Sequence, residues 1–324
     1  MNPIVGIDIA KHTFDVALPL DKPGKYRTKA KLPNTPKGFE ELRVWLADHA
    51  PGAAICLEAT GIYHEALATF IHAQGVRVYV VNPAQVAFFA KSELLRIKTD
   101  RSDAKLIARF ATQQQQLPSM RPWTPPTPVQ RKLRALFFRL EDLQAMAQME
   151  LNRRDVADPS VIASIDEHLE TLREQIETLK KQIDDHIDSD PDLRRDRTLL
   201  KTIPGLGDKV SATFLACVGD LRRFERPNQL DAFAGLNPAI RESGKSQGHA
   251  HISKWGNAML RSKLYMAAIV AKKHNPVIRR FVQRLSHRGK SPMIALIAAM
   301  RKLLHIAWGV VRSGKPFDPD FALA

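Results

Sequence analysis

Four carboxylates in the first third of the chain are of the right type and spacing to hold divalent cations. Asp8 interrupts the apolar run Ile4-Val5-Gly6-Ile7-Asp8-Ile9, Glu58 closes Ala54-Ile55-Cys56-Leu57, and Asp100 and Asp103 lie three apart in Lys98-Thr99-Asp100-Arg101-Ser102-Asp103. Strand side chains alternate, so Asp8 faces away from Ile7 and Ile9. A charge there is costly unless it is paired or bound to a cation. On a helix, a spacing of three puts Asp100 and Asp103 on one face. Hard oxygen donors suit Mg2+, with Mn2+ as the alternative ion. Two such ions about 4 Å apart can activate a nucleophile and stabilise a leaving oxygen in phosphoryl transfer. Taken singly, each residue also has a plainer reading: a solvated strand end for Asp8 and Glu58, and a helix N-terminus that favours acids for Asp100 and Asp103.

A second set of residues points to phosphate. Leu200-Lys201-Thr202-Ile203-Pro204-Gly205-Leu206-Gly207-Asp208-Lys209 has the form of a helix-hairpin-helix turn. In such a turn Gly205 and Gly207 allow a tight bend, and backbone N–H groups with Lys209 can hold a phosphate oxygen. A plain inter-helix turn has the same sequence form. Further on, Glu242-Ser243-Gly244-Lys245-Ser246-Gln247-Gly248-His249 reads as a polar loop. A serine among cations could attack phosphorus, but composition does not separate Ser243 from Ser246 or Ser253. Lys245, Lys254, Arg261 and Lys263 read as backbone phosphate contacts. Trp255 reads as a packing or base-stacking residue. His12, His249 and His251 have no companions at zinc-ligand spacing.

The elements that must position these groups follow from pattern. Residues 4–9, 14–18 and 26–32 read as strands, 36–49 as a helix, 54–58 as a strand, 63–74 as a helix and 76–81 as a strand closed by Asn82-Pro83. A helix runs from Asp100 to about Thr112. This order predicts a mixed sheet flanked by helices. Pro122, Pro125, Pro126 and Pro128 form a stiff linker. Leu133, Leu136, Leu140 and Leu143 then line one helix. Ile165, Leu169, Leu172, Ile176, Leu179 and Ile183 step by the heptad spacing along a second. Asp158-Pro159-Ser160 separates them, with Ser160 the expected cap. Two uses fit this pair equally, a hairpin folded on itself or a coiled coil joining two copies. The remainder reads as helical, and the expected boundaries are 1–127, 128–196 and 197–324.

Of 324 residues, 49 are Lys or Arg and 34 are Asp or Glu, a net charge of +15. The charge is uneven: +5 over 1–125, −5 over 126–196 and +15 over 197–324, with 15 Lys/Arg and no Asp or Glu in 243–317. So one-sided a run predicts a polyanionic partner. Two cysteines exclude a disulfide-stapled scaffold. No secretory leader and no span of 18 apolar residues is evident, so a cytoplasmic protein without a membrane partner is expected.

Set in order, Gly6-Ile7-Asp8-Ile9-Ala10-Lys11, Glu58-Ala59-Thr60-Gly61-Ile62-Tyr63, Lys98-Thr99-Asp100-Arg101-Ser102-Asp103-Ala104, Ile203-Pro204-Gly205-Leu206-Gly207, Phe233-Ala234-Gly235-Leu236-Asn237-Pro238, Glu242-Ser243-Gly244 and Ile252-Ser253-Lys254-Trp255-Gly256-Asn257 resemble the DEDD-type insertion-sequence transposases, the bridge-RNA-guided recombinases. The resemblance covers nearly the whole chain. It implies an α/β plus all-α protein: a ribonuclease-H-like (RuvC-like) mixed sheet, a helical coiled-coil hairpin and a mainly helical transposase domain. It gives the DEDD metal-holding roles to Asp8, Glu58, Asp100 and Asp103 and makes Ser243 the nucleophile. It further implies a noncoding bridge RNA that pairs with donor and target double-stranded DNA, and dimers that assemble into a tetramer, with carboxylates of one copy meeting the serine of another. Two rival expectations share these residues: a metal-only junction endonuclease in which Ser243 is a bystander, and a non-enzymatic nucleic-acid scaffold.

Overall fold

The computed structural model describes residues 3–22, 24–59, 61–93, 100–116, 120–239, 242–243, 246–247 and 251–320, with backbone only at 100, 101, 239, 242, 243, 246 and 247. Packing divides the chain into two compact units, Met1–Pro125 and Pro126–Ala324.

The first unit is built on a five-stranded sheet. Its elements are β1 (Ile4–Ile9), β2 (Thr13–Pro19), β3 (Tyr26–Pro33), α1 (Pro36–His49), β4 (Ala54–Glu58), α2 (Tyr63–Ala73), β5 (Val78–Val81), α3 (Pro83–Ser92) and α4 (Asp100–Gln114). The strand order is β3-β2-β1-β4-β5. The first three strands form an antiparallel meander, and β4 and β5 add in parallel to β1. This is the mixed sheet flanked by helices that the sequence predicts. Strand alternation sorts the two faces. Val5, Ile7, Ile9, Phe14, Val16, Ile55 and Leu57 pack with Phe39, Leu42 and Trp45 of α1 and Leu67 and Ile71 of α2. Ile4, Ala54, Cys56, Tyr79 and Val81 pack on the other side with Val86 of α3 and Ile107, Phe110 and Ala111 of α4.

Helix α3 is absent from the sequence expectation, which stopped at Asn82-Pro83. The same dipeptide that ends β5 starts α3: the Asn82 side chain accepts from the Ala84 N–H (2.9 Å), Pro83 takes the first helical position, and Gln85 completes a capping box.

The second unit is helical. Helices α5 (Pro128–Arg154) and α6 (Pro159–Ser189) form an antiparallel hairpin. At one end Arg154 pairs with Asp166, and at the other His186 Nε2 lies 2.9 Å from the Val129 carbonyl oxygen. The α6 cap is Asp158, which accepts from the Ser160 N–H at 2.9 Å, with Pro159 first in the helix; the expected cap, Ser160, lies inside it. The lower turns of this hairpin share one core with α7 (Pro191–Lys201), α8 (Asp208–Val218), α9 (Pro227–Ala234), α10 (Ala258–His274), α11 (Pro276–His287) and α12 (Pro292–Ser313). Helix α12 is long and apolar enough to cross a membrane, but Ala299, Leu303, Leu304, Ala307 and Val311 along it are buried in that core.

Candidate active site

The β1–β4 register decides where the strand carboxylates point. Gly6 pairs with Cys56 and Ile7 with Leu57, so Asp8 and Glu58 come next on neighbouring parallel strands. Both lie on the α4 side, because Ile4 on β1, and Ala54 and Cys56 on β4, belong to the α4-side core. Both side chains are half-buried. The negative charge of Glu58 is felt next door: burial first, and that charge second, push the Cys56 thiol up to about 12.

Gly6 sets where α4, the helix that carries Asp103, crosses the sheet. A Cβ there would overlap the backbone of Ala104 and lie 2.8 Å from Ala108 Cα, so α4 crosses β1 at backbone contact. Asp103 immediately precedes that crossing. It is half-buried, and the Ser102 hydroxyl donates to it at 3.4 Å. Asp100 opens α4, and its side chain lies outside the described residues. Further along α4, Arg109 forms an ion pair with Glu93, just past the end of α3. The chain segments that follow β1 and β3 are pinned by Asn34, whose amide donates to the carbonyls of Ala10 (3.1 Å) and Tyr63 (3.2 Å).

Sequence reading missed one member of this row. Asp15 on β2 stands directly opposite Asp8 in the antiparallel ladder and is buried. The row across three strands is therefore Asp15, Asp8, Glu58. Residues directly opposite share a face, and like charges in such positions repel. The signal was available in the short β1–β2 turn, which fixes the pairing partner of Asp8. Hard oxygen donors set side by side with like charge are the donor chemistry that a divalent cation satisfies. Among the described residues no three His, Cys, Asp or Glu side chains stand close enough to hold a metal ion. The fit therefore rests on donor type and register, with Asp100 outside the described side chains.

The serine region lies in the second unit. Two short ladders form here, one within the expected 242–249 loop and one flanking it. β6 (Pro238–Ala239) pairs with β9 (His251–Ile252), and β7 (Glu242–Ser243) pairs with β8 (Ser246–Gln247), Ser243 opposite Ser246. Two-residue strands carry no periodicity, so composition could not announce them. The base of this arm is tightly tied. Ser253 N–H donates to the Asn237 carbonyl (2.8 Å) and Asn257 N–H to the Phe233 carbonyl (2.7 Å). Gly235 ends α9 in the left-handed conformation, against Gly256.

The expected phosphate contacts fall in different settings. Gly205 has φ +107°, and a Cβ there would lie 2.7 Å from that of Ala271 on α10, so it is a packing position; around Gly207, the α8 cap, that space is open. Lys209 Nζ donates to Gln144 (3.2 Å), and Lys263 Nζ to Glu141 (2.5 Å), both on α5. Burial, then the Lys263 charge, hold the Lys209 ammonium below its usual range. Arg261 donates to the Ala234 carbonyl at 2.9 Å. Lys254 is exposed at φ +60°, and Lys245 lies outside the described residues.

A family described as transposase IS116/IS110/IS902 matches residues 197–283, and a DEDD transposase family of the IS110 type matches 5–156. The pilin gene-inverting protein of Moraxella bovis is 34% identical over 319 residues, 97% of each chain. The chain belongs to the IS110/IS116/IS902 family of transposases. The same protein of Moraxella lacunata is equally similar, and the transposase of insertion element IS1111A from Coxiella burnetii is 26% identical over 84% of this chain and 78% of its own. The transposase is thus an enzyme that rearranges DNA, and its DEDD region belongs to a class that implies divalent metal use. All four expected carboxylates fall within the DEDD match, and Ser243 within the other.

Proposed function

We propose that the transposase is an RNA-guided recombinase that cuts and rejoins DNA through a covalent 5′-phosphoserine on Ser243, assisted by Mg2+ at Asp8, Glu58, Asp100 and Asp103. The observation that supports it best is the β1–β4 register, which sets Asp8 and Glu58 side by side under the helix that carries Asp100 and Asp103. When bound, the cation neutralises charge developing on phosphate oxygens and lowers the cost of ionising a hydroxyl. The residues do the rest. Ser243 Oγ attacks phosphorus and loses its proton, the P–O3′ bond breaks, and the leaving strand departs as a 3′ hydroxyl. A 3′ hydroxyl from a second strand then attacks the serine ester and releases Ser243. One phosphodiester is exchanged for another, so no nucleotide triphosphate is needed. A bridge RNA supplies sequence choice by base pairing with donor and target DNA, leaving the protein to read backbone and shape. Lys245 and Lys254 belong to that backbone contact. The copies act as dimers within a tetramer, carboxylates from one copy serving the serine of another, in the cytoplasm on nucleoid DNA.

The test uses defective copies. With RNA, donor, target and Mg2+, the unaltered transposase gives a denaturation-resistant DNA adduct, which Ser243→Ala abolishes and Ser246→Ala retains. Asp8→Asn alone is also inactive. Mixing Ser243→Ala with Asp8→Asn restores up to about a quarter of strand exchange, since hybrid assemblies hold intact composite sites. Free 5′-phosphate ends without an adduct identify the metal-only nuclease, and strand exchange by Asp8→Asn alone removes the carboxylates from the reaction.

A further inference from the structure

The cations of the second unit divide by where their ends go. Lys209, Arg261 and Lys263 are engaged within the unit, as are Arg301, which donates to the buried Asp231 at 2.8 Å, and Arg312, which donates to the Glu225 carbonyl at 2.9 Å. Helix α11 is arranged the other way. Val277, Ile278 and Val282 are buried, and Arg279, Arg280 and Arg284 are exposed, with Arg288 at the helix end. Lys272 and Lys273 before the helix and Lys290 after it are exposed as well. Among the described residues none of these seven pairs with a carboxylate, and the chain has no Asp or Glu anywhere in 243–317. Uncompensated like charge on one surface opposes folding and is relieved by a polyanion.

We propose that the exposed face of α11 and its basic flanks are a docking surface for the sugar–phosphate backbone of duplex DNA. Arg280, Arg284 and Arg288 recur every four residues, so they form one row about 12 Å long. Four of the seven cations are Arg, whose planar fork matches phosphate oxygens. The helix exposes no Phe, Tyr or Trp ring: Phe281 is half-buried, with the Arg284 guanidinium 5.5 Å from its ring centre, and the other aromatic ring is the exposed His287 of the last turn. Stacking on aromatics is what single-stranded RNA recognition relies on, so this face grips backbone rather than bases. The proposal rests on the transposase acting on DNA and is independent of the serine chemistry.

Full-length protein and a short duplex of arbitrary sequence provide the test, with affinity measured across a salt series. In Arg280→Gln/Arg284→Gln/Arg288→Gln, affinity at low salt drops about tenfold or more and the slope of log affinity against log salt becomes shallower by about 2 to 3, near 0.9 per lost phosphate contact. The corresponding triple Arg→Lys variant keeps most of the slope, and Arg173→Gln/Lys180→Gln on α6 leaves it unchanged. In the unaltered protein, duplex DNA shields Lys272, Lys273 and Lys290 from acetylation but not Lys180, a readout that needs no variant to fold. Unchanged slope and affinity in the glutamine variant, no shielding of these lysines, or a loss confined to RNA with duplex binding intact would each overturn the proposal.

Discussion

Asp8 and Glu58 on the sheet and Lys209 and Lys263 in the helical unit are both singled out by residue type, yet packing treats them differently. On β1 and β4 the parity of the strand and the register fix the facing of each residue, so Asp8 and Glu58 stand on one side, where their types require them to be. On α8 and α10 the side-chain destination depends on a helix far away in sequence. Lys263 meets Glu141 across 122 positions, and Lys209 meets Gln144 across 65. A strand residue therefore carries its own address, whereas a helical cation takes its address from whatever packs beside it.

The hardest test of that contrast is a glycine from each unit. Gly6→Ala puts a methyl group into the backbone of α4, and overpacking of this kind costs about 3 kcal/mol at the upper end of its usual range. It should also displace the helix that bears Asp100 and Asp103, so strand exchange falls below detection even in protein that remains folded. Gly207→Ala, at the open cap of α8, costs less than about 1 kcal/mol. Urea unfolding midpoints with a strand-exchange assay measure both. If the two variants behave alike, close approach at β1 does not position α4.

The elements were legible where a period of two or of three to four persisted. β1, α1 and β4 run over the anticipated residues. Helix α3 is hidden because Asn82-Pro83 signals both an end and a start, whereas Asp15 is legible from strand parity once the short β1–β2 turn sets it opposite Asp8. The arm around Ser243 escaped for the opposite reason: strands of two residues are held by ladder bonds and by the ties at Phe233 and Asn237, none of which leaves a mark in composition. The heptad seam on α6 showed a partner helix, and the structure supplies α5 of the same chain.

A second test sharpens the distinction between engaged and displayed cations. Lys263→Met leaves Glu141, whose side chain is only 12% exposed, without its cation. Breaking a fully buried pair costs about 3 to 5 kcal/mol, and partial exposure here brings the expected loss to about 2 kcal/mol. Pairing it with Glu141→Leu recovers most of that loss, because neither charge then remains. The three α11 glutamine substitutions, in contrast, leave the unfolding midpoint unchanged or slightly raised. A Lys263→Met protein of unaltered stability would put Lys263 among the displayed cations after all.

The smallest effect expected is at the mouth of the 202–207 turn. Asp208 accepts from Lys201 at 2.7 Å and from Arg197 at 2.9 Å, and these contacts hold its carboxyl below the usual carboxylate range, the Lys201 hydrogen bond first, with burial opposing. A carboxyl whose folded value lies below its unfolded one contributes stability above about pH 4, and that contribution is lost as the pH falls through the folded value. The Asp208 side chain is 60% exposed, so water and salt screen the pair and the contribution is below about 1 kcal/mol. Asp208→Asn should therefore be slightly less stable than the parent at neutral pH, and the gap should close on acidification and shrink in high salt. The same substitution removes a negative charge beside the α8 N-terminus. If that N-terminus also meets phosphate, duplex affinity rises while stability falls, and a salt series on this single variant separates the two roles of the turn.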